Sequence, residues 1–501
     1  MDKIGGGCHL LFDDNRLLFF DLHYIDSLEN AKLVLNPPEK RGPCLSIEKD
    51  WELGLVRGSS IVFWEGQWRL YYTLKTGDER HRVMAFAVSS DGITWERPDL
   101  GAVEFAGSKH NNLVDIEGAR PDEVCVFIDP TGPDEHRFKL ICHWPYEGTW
   151  LMTSPDGIRF KHAGGRLLQF ATDNHQSVFY DPIIGKYRLY LRGALKSRSV
   201  IGWKGSRVVV YAETDNLFKP LEYDRNAPDP HERGMIRPGP DGKMIQPLQG
   251  INRELPTVLS LDEFDPPEAD LYQAAAVHYA RDVYLAFPTL YYHYPGLEEG
   301  GFLNDGVLDI QFAASRDGYL WRRDHRGSYV RLDLPDGLAT KQMHMLVGMV
   351  PHTHTISQYY MGSRRTHGEG RTADNIKGIG FHEPKMGDPI ALRLEQRMDG
   401  FVSVDSAYTG GSVLTAPFVA KSPQIRLNID TSASGTARAA LLGDDGRVIP
   451  GFGLEESDRI QGNDTSYVLS WRGNSDTTAL IGKTVRLLLK SRSTKLFAVY
   501  P

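Results

Sequence analysis

The stretch SSDGITW (residues 89–95) is spelled almost the same way twice more, as SPDGIRF (154–160) and SRDGYLW (315–321). Each copy closes an apolar run, in RVMAFAVSSDGITW, TWLMTSPDGIRF and LDIQFAASRDGYLW. Asp-Gly between two apolar runs predicts a hairpin, because glycine accepts the positive φ of a tight turn and aspartate tolerates it. The flanking serine can bond the turn's backbone, and the closing Trp or Phe can cover the hairpin from the side. A degenerate fourth copy, VVVYAETDNLFKPL (208–221), has Asp-Asn in place of Asp-Gly.

A second pattern alternates with the first: an apolar strand, a polar turn and an aromatic-rich strand. It runs through SIVFWEGQWRLYYT (60–73), VCVFIDPTGPDEHRFKLICHW (124–144), SVFYDPIIGKYRLYLR (177–192), AVHYARDVYLAFP (276–288) and MVPHTHTISQYYMG (349–362). Four of these inner hairpins have an outer hairpin behind them, and KGIGFHEPKM (377–386) is expected to supply part of the fifth. Two hairpins make a four-stranded sheet, and five such sheets set radially make a β-propeller, which leaves only short protected edges. After about residue 395 the pattern gives way to short alternating strands separated by Gly, Asn and Asp turns, as a β-sandwich requires. The expected architecture is therefore all-β: a five-bladed β-propeller over residues 1–395, with an N-terminal extension over about residues 1–50, then a β-sandwich over 396–501.

A repeat fold also fits the length, since 501 residues exceed what one ordinary core organises. The net charge of −8 and the absence of a dense Lys/Arg run argue against a nucleic-acid or polyanion partner. No window approaches the roughly 18 uninterrupted apolar residues of a membrane span. The opening MDKIGGGCHLLFDDNRLLFF breaks its apolar run with Asp13, Asp14 and Arg16, unlike a secretory leader, so a cytoplasmic protein is expected. Four cysteines without metal-like spacing read as buried thiols, although Cys125 and Cys142 fall on neighbouring strands.

In a propeller the innermost strands converge on one axial pocket, so the residues that open each inner hairpin are the candidates for chemistry. They are Trp51, Glu52 and Arg57 before the first; Arg120, Asp122 and Glu123 before the second; Asp173, Asn174, His175 and Gln176 before the third; Glu268, Asp270, Tyr272 and Gln273 before the fourth; Gln342 and His344 before the fifth. Converging carboxylates split their ionisation, so that one can stay protonated while another stays charged. An acid and a carboxylate flanking one pocket are what glycosidic cleavage needs. Trp51, Trp64, Trp144, Tyr272, Tyr291 and Tyr292 offer flat faces to sugar C–H groups, and the amides can bridge hydroxyls. His367 approaches from the loop GSRRTHGEG, while Arg192, Arg198, Arg364 and Arg365 can clamp an anionic group. His352 and His354 have no Cys or carboxylate spaced to complete a tetrahedral metal site, so no metal is expected. No nucleotide-binding glycine motif or GxSxG is present, and no cofactor is expected.

The segments AVSSDGITWERPDLG, KHNNLV, DNHQSVFYDP, ASRDGYLWRR and RMDGFVSVDSAYTGGSVLTAPF make the chain resemble proteins described as similar to glycoside hydrolase family 32, in a group near families 32, 43, 62 and 68. That resemblance implies a five-bladed propeller with a C-terminal β-sandwich, acting on furanosides or related sugars. It implies three acidic residues: a nucleophile or base on the first blade, a transition-state stabiliser on the second and a general acid on the third or fourth. The chain departs from the pattern by lacking a WMNDPNG-like stretch, an Arg-Asp-Pro and a Glu-Cys pair; GARPDEV is a loose echo. The expected function is glycoside hydrolysis of a carbohydrate substrate, with Asp173 and either Asp270 or Glu268 as the acid and its partner. Glu52, Asp122 and Glu123 complete the acidic ring, and Trp51, Arg120, Asn174, His175, Gln176, Arg192, Tyr272, Gln273, Gln342, His344 and His367 contact the substrate. A carbohydrate-binding propeller without catalysis and a phosphorolytic enzyme are the alternatives.

Overall fold

The computed structural model of the protein describes residues 16–53, 55–75, 82–118, 122–144, 148–168, 172, 176–196, 205–221, 237–238, 244–245, 255–294, 305–369 and 385–501. These residues are almost wholly strands and turns. The chain divides into two compact units, one holding Lys40–Val350 and Ser357–Glu395, the other Asp13–Glu39, Pro351–Ile356 and Gln396–Pro501.

The first unit contains five blades. The first is Leu55–Trp64, Gln67–Lys75, Arg82–Ser89 and Leu113–Ile116; the second is Asp122–Ile128, Phe138–Trp144, Gly148–Ser154 and Arg159–Leu168. A short parallel pairing of Leu113–Ile116 with Arg159–Leu168 joins them into one eight-stranded sheet. Ser177–Asp181, Lys186–Lys196, Gly205–Thr214 and Thr257–Leu259 form the third blade. In the fourth, three long strands break midway into Ala269–Gln273 and Ala276–Ala280, Val283–Ala286 and Thr289–His293, Gly306–Ile310 and Ala313–Ser315. The breaks fall at Ala275, which holds a positive φ, and at Pro288, which has no N–H to give the ladder.

The fifth blade is Gln342–Met345, Thr355–Ser363 and Pro389–Arg397, with Glu39–Ser46 as its outermost strand. Of KGIGFHEPKM, expected to supply part of this blade, only Lys385 and Met386 are described, outside any strand. Residues 377–384 lie outside the described residues, and the outer strands come from further along the chain and from its beginning. A strand from near the N-terminus thus closes the ring, which is why Glu39–Ser46 is part of a blade rather than an extension.

Hydrogen bonds tie each inner strand to the next. Ser59 Oγ donates to Val124 O (2.7 Å) and Ser60 Oγ accepts from Val126 N (2.8 Å), first blade to second. Cys125 Sγ reaches Val178 O at 3.8 Å, second to third. Ser177 Oγ accepts from Ala276 N (2.9 Å), and Gln273 Nε2 donates to Met345 O (2.8 Å), linking third to fourth and fourth to fifth. Val347, just past the first strand of the fifth blade, pairs in parallel with Ser60 of the first. The ring is closed, as a five-bladed propeller requires.

The recurring turns do more than reverse the chain. In each, the serine hydroxyl accepts from the glycine N–H and the aspartate Oδ1 accepts from the next two backbone N–H groups, in Ser89–Thr94, Ser154–Arg159 and Ser315–Leu320. Gly92, Gly157 and Gly318 hold φ of +69°, +74° and +71°. Their carbonyls accept hydrogen bonds from tyrosines of the preceding blade: Tyr359 to Gly92 (2.5 Å), Tyr71 to Gly157 (3.0 Å) and Tyr190 to Gly318 (2.6 Å). Trp95 and Trp321 stand edge-on to Tyr359 and Tyr190. The turn is a latch between blades, and the closing tryptophan packs on the latch. In the degenerate copy Asn216 takes the aspartate's part, bonding Thr214 Oγ1 through its N–H and accepting from Phe218 N, so Leu217 stands where the others have glycine.

Losing one latch hydroxyl leaves a buried glycine carbonyl without its donor, so Tyr190→Phe is expected to lower stability by about 1–2 kcal/mol. Chemical denaturation measures this; an unchanged midpoint would mean that the latch is not used.

Cys125 and Cys142 do sit on neighbouring strands but face different cores, Cys125 packing with Ile141 and Leu191 and Cys142 with Val126 and Phe138. Neither thiol forms a disulfide. Alternation of side chains across the sheet separates them.

In the second unit, Leu17–Leu18, Ile25–Glu29 and Ala31–Leu35 pair with Thr494–Tyr500, Gly411–Thr415 and Val402–Ser406. Residues 17–35 therefore belong to this unit. The long strand Arg426–Gly443 pairs with Thr494–Tyr500 over its first part and with Thr484–Arg492 over its second. Between the two, Ser432 adopts a positive φ, and the strands share a core that includes Leu427, Ile429, Leu441, Leu487 and Val499.

Candidate active site

Several expected pocket residues are committed to the scaffold. Glu52 is fully buried, and its two carboxylate oxygens accept from Tyr72 Oη (2.7 Å), Arg97 Nε (2.7 Å) and Nη2 (2.9 Å), Glu48 N (3.0 Å) and Lys49 N (3.2 Å). Trp51 Nε1 donates to Asn112 Oδ1 (2.9 Å), and Asn112 in turn bonds Tyr72. This network secures the link from the closing strand to the first blade. Both oxygens of Glu52 are thus engaged by the scaffold, against the expectation that it meets a substrate, while Trp51 is tied through its indole N–H alone.

Gln273 is spent on the tie to Met345, Gln176 Nε2 donates to Thr172 Oγ1 (2.5 Å), and Gln342 Nε2 donates to Arg365 O (2.7 Å). Arg364 Nε donates to Gly337 O (2.7 Å), and Arg365 Nε lies 3.9 Å from a Glu369 oxygen. Arg192 is buried in the third blade, and Glu268 is exposed in the turn before the fourth. Asp122 and Glu123 open the second blade's inner strand, although their side chains lie outside what is described. Arg120, Asp173, Asn174, His175 and Arg198 lie outside the described residues.

The structure does bring Asp270, Tyr272, His344 and His367 together. Asp270 and Tyr291 are directly paired across two strands of the fourth blade, and Tyr291 pairs with Leu308 on the third. Strand alternation therefore puts Asp270, Tyr291 and His293 on one face. The fifth blade adds His344, edge-on to Tyr272 at 5.4 Å between rings, and His367, whose Nε2 lies 3.2 Å from Tyr272 Oη. His367 is held there by backbone: its N–H donates to Gly306 O (3.1 Å), and Gly368 N donates to Asp305 Oδ1 (2.6 Å). From the third blade, the Arg207 guanidinium lies over the rings of Tyr272 and Tyr291, at 5.2 and 5.3 Å from their centroids.

Asp270 is the electrostatic centre. Its Oδ2 accepts from Arg207 Nη1 (2.8 Å) and from His293 Nε2 (3.0 Å). Burial alone would raise the carboxyl's pKa, but the Arg207 charge and the His293 bond outweigh it and hold Asp270 below the usual carboxylate range. Burial pushes the Tyr291 hydroxyl the other way, well above an ordinary phenol, so it stays protonated. Three buried polar atoms on this face have no hydrogen-bond partner among the described residues: Asp270 Oδ1, Tyr291 Oη and His293 Nδ1. Each unmet group costs about 1–3 kcal/mol, and a bound polar molecule would relieve that cost.

A charged acceptor beside a neutral donor can take a ligand hydroxyl from both sides, while aromatic rings flank it. Arg207 and His293 escaped the sequence reading. Neither opens an inner hairpin: they lie in GSRVVVYAET and TLYYH, and a charged or imidazole side chain bordering an apolar strand is the signal that marks them.

No protein-family model matches the chain, and no curated protein does. Among solved structures it is similar to a glycosyl hydrolase from Bacteroides ovatus (13% identity, 74% of this chain and 99% of that one, TM-score 0.40). It is also similar to an exo-inulinase from Aspergillus awamori (10% identity, 93% and 98%, TM-score 0.38) and to the catalytic domain of a GH62 α-L-arabinofuranosidase from Coprinopsis cinerea (11% identity, 73% and 98%, TM-score 0.39).

Proposed function

We propose that the protein cleaves glycosidic bonds, with Asp270 as the carboxylate that stays ionised. The observation that carries this reading is the half-engaged Asp270: a buried, charge-paired carboxylate with one oxygen free, beside a protonated tyrosine and among aromatic rings where three blades meet. Glycoside hydrolysis needs a charged carboxylate and a separate proton donor, and the low pKa direction of Asp270 suits only the first task. Asp173, which precedes the inner strand of the third blade in sequence, is the proposed acid.

A panel of chromogenic furanosides and pyranosides tests this. Turnover of at least one glycoside is expected, falling about 10²–10⁴-fold in Asp173→Ala and in Asp270→Asn. Sugar binding without turnover by the unaltered protein would favour a carbohydrate-binding propeller, and turnover only with added phosphate a phosphorolytic one.

A further inference from the structure

The buried carboxylates of the first unit differ in how many of their oxygens are used. Glu52, Asp129, Asp181 and Asp265 have both engaged: Asp129 with Thr131 on one side and Lys139 and Tyr187 on the other, Asp181 with Ile183 N and with Arg188 and Tyr284, Asp265 with both arms of Arg323. Those are the marks of carboxylates that hold a scaffold together. Asp309 leaves Oδ1 unmet, but it has no cation bonded to it and lies on the opposite face of its sheet, paired with Leu290. Asp270 alone in this set combines a bound cation with an unused oxygen. Both of its partners converge on Oδ2, one from a different blade and one from the neighbouring strand.

Resting on the reading of Asp270 as the ionised carboxylate, we propose that Arg207 and His293 are positioning residues that grip it by Oδ2 and so present Oδ1, with the adjacent Tyr291 hydroxyl, to the substrate. His293 donates through Nε2 to Asp270 Oδ2 and leaves Nδ1 unmet on the same face. Arg207 fixes three groups at once, since its guanidinium lies against both Tyr272 and Tyr291 while bonding Asp270. The unmet set, a carboxylate oxygen, a phenol hydroxyl and an imidazole nitrogen, is matched to a ligand carrying neighbouring hydroxyls rather than an anion.

The test uses the full chain with ¹³C-labelled aspartate carboxyls, the Asp270 signal being identified by its loss in Asp270→Asn. In Arg207→Met the Asp270 titration is expected to move up by about one unit or more, and the acid limb of kcat/KM to move to higher pH with it. His293→Gln should move both less, in the same direction. Arg207→Lys covers the case in which the methionine variant fails to fold: the charge is kept, but the lost planar contact with Tyr272 and Tyr291 should lower kcat about tenfold or more with KM little changed. Unmoved titration and pH profile in folded Arg207→Met, or full kcat in Arg207→Lys, would overturn the proposal. A carboxyl titration that moves while the unaltered protein turns over no glycoside would count against hydrolysis and leave the grip on Asp270 standing.

Discussion

Asp270→Ala is expected to destabilise the protein by about 3–5 kcal/mol, because it leaves the Arg207 charge buried without its counterion. Both side chains are almost wholly out of solvent, 4% and 3% exposed for Arg207 and Asp270, so water cannot replace the lost partner. Asp270→Asn keeps the shape and one acceptor, and its loss should be smaller. The pH dependence distinguishes charge from packing. Asp270's folded pKa lies below the unfolded value of about 3.9, so its contribution is complete above that pH and is lost as pH falls through the lower, folded value. Urea unfolding of the protein and of Asp270→Asn should therefore diverge near neutrality and converge in acid. Equal stability at neutral pH would mean that the ion pair contributes no net stability.

Gly157→Ala is expected to cost about 2–5 kcal/mol from two sources that add. A residue with a side chain at φ +74° meets the left-handed penalty of about 1–2 kcal/mol. Its Cβ would also run into Tyr71 Oη and stand 2.8 Å from the Phe138 ring, and such overpacking costs about 1–3 kcal/mol. Gly66→Ala is the control, since Gly66 has φ +80° and nothing within 4 Å of an added Cβ. It should show only the backbone part. Adding Tyr71→Phe to Gly157→Ala should recover some of the loss, as removal of the hydroxyl opens the space. A Gly157 variant no worse than the Gly66 one would remove the close approach of the blades from the account.

The blades were legible because their signals are local. A serine, an aspartate and a glycine within four residues form the turn through bonds among themselves, whatever the rest of the chain does. Even there the pattern misled at Asp215, because two adjacent polar residues fit the turn and only the strand register decides that Asn216 occupies it. The tyrosines that latch the turns lie far away, Tyr359 being 267 residues from Gly92, and nothing local predicts the pairing.

The candidate site was legible in part for the same reason. A strand opening locates a segment near the axis but does not say where a side chain is spent: Glu52 looked available until Arg97, 45 residues on, was seen to engage both of its oxygens. Asp270, Tyr272, His344 and His367 were found by position. Arg207 and His293 were not, because a residue that reaches its partner from the next blade, or from the far end of a hairpin, has no spacing to betray it.

A crystal structure with a bound sugar tests the central claim most directly, with arabinose, xylose, fructose and galactose each soaked at high concentration. The account predicts a sugar hydroxyl within hydrogen-bond reach of both Asp270 Oδ1 and Tyr291 Oη, beside Tyr272. Sugar seated only elsewhere, or an Asp270 face that no sugar enters, would contradict it.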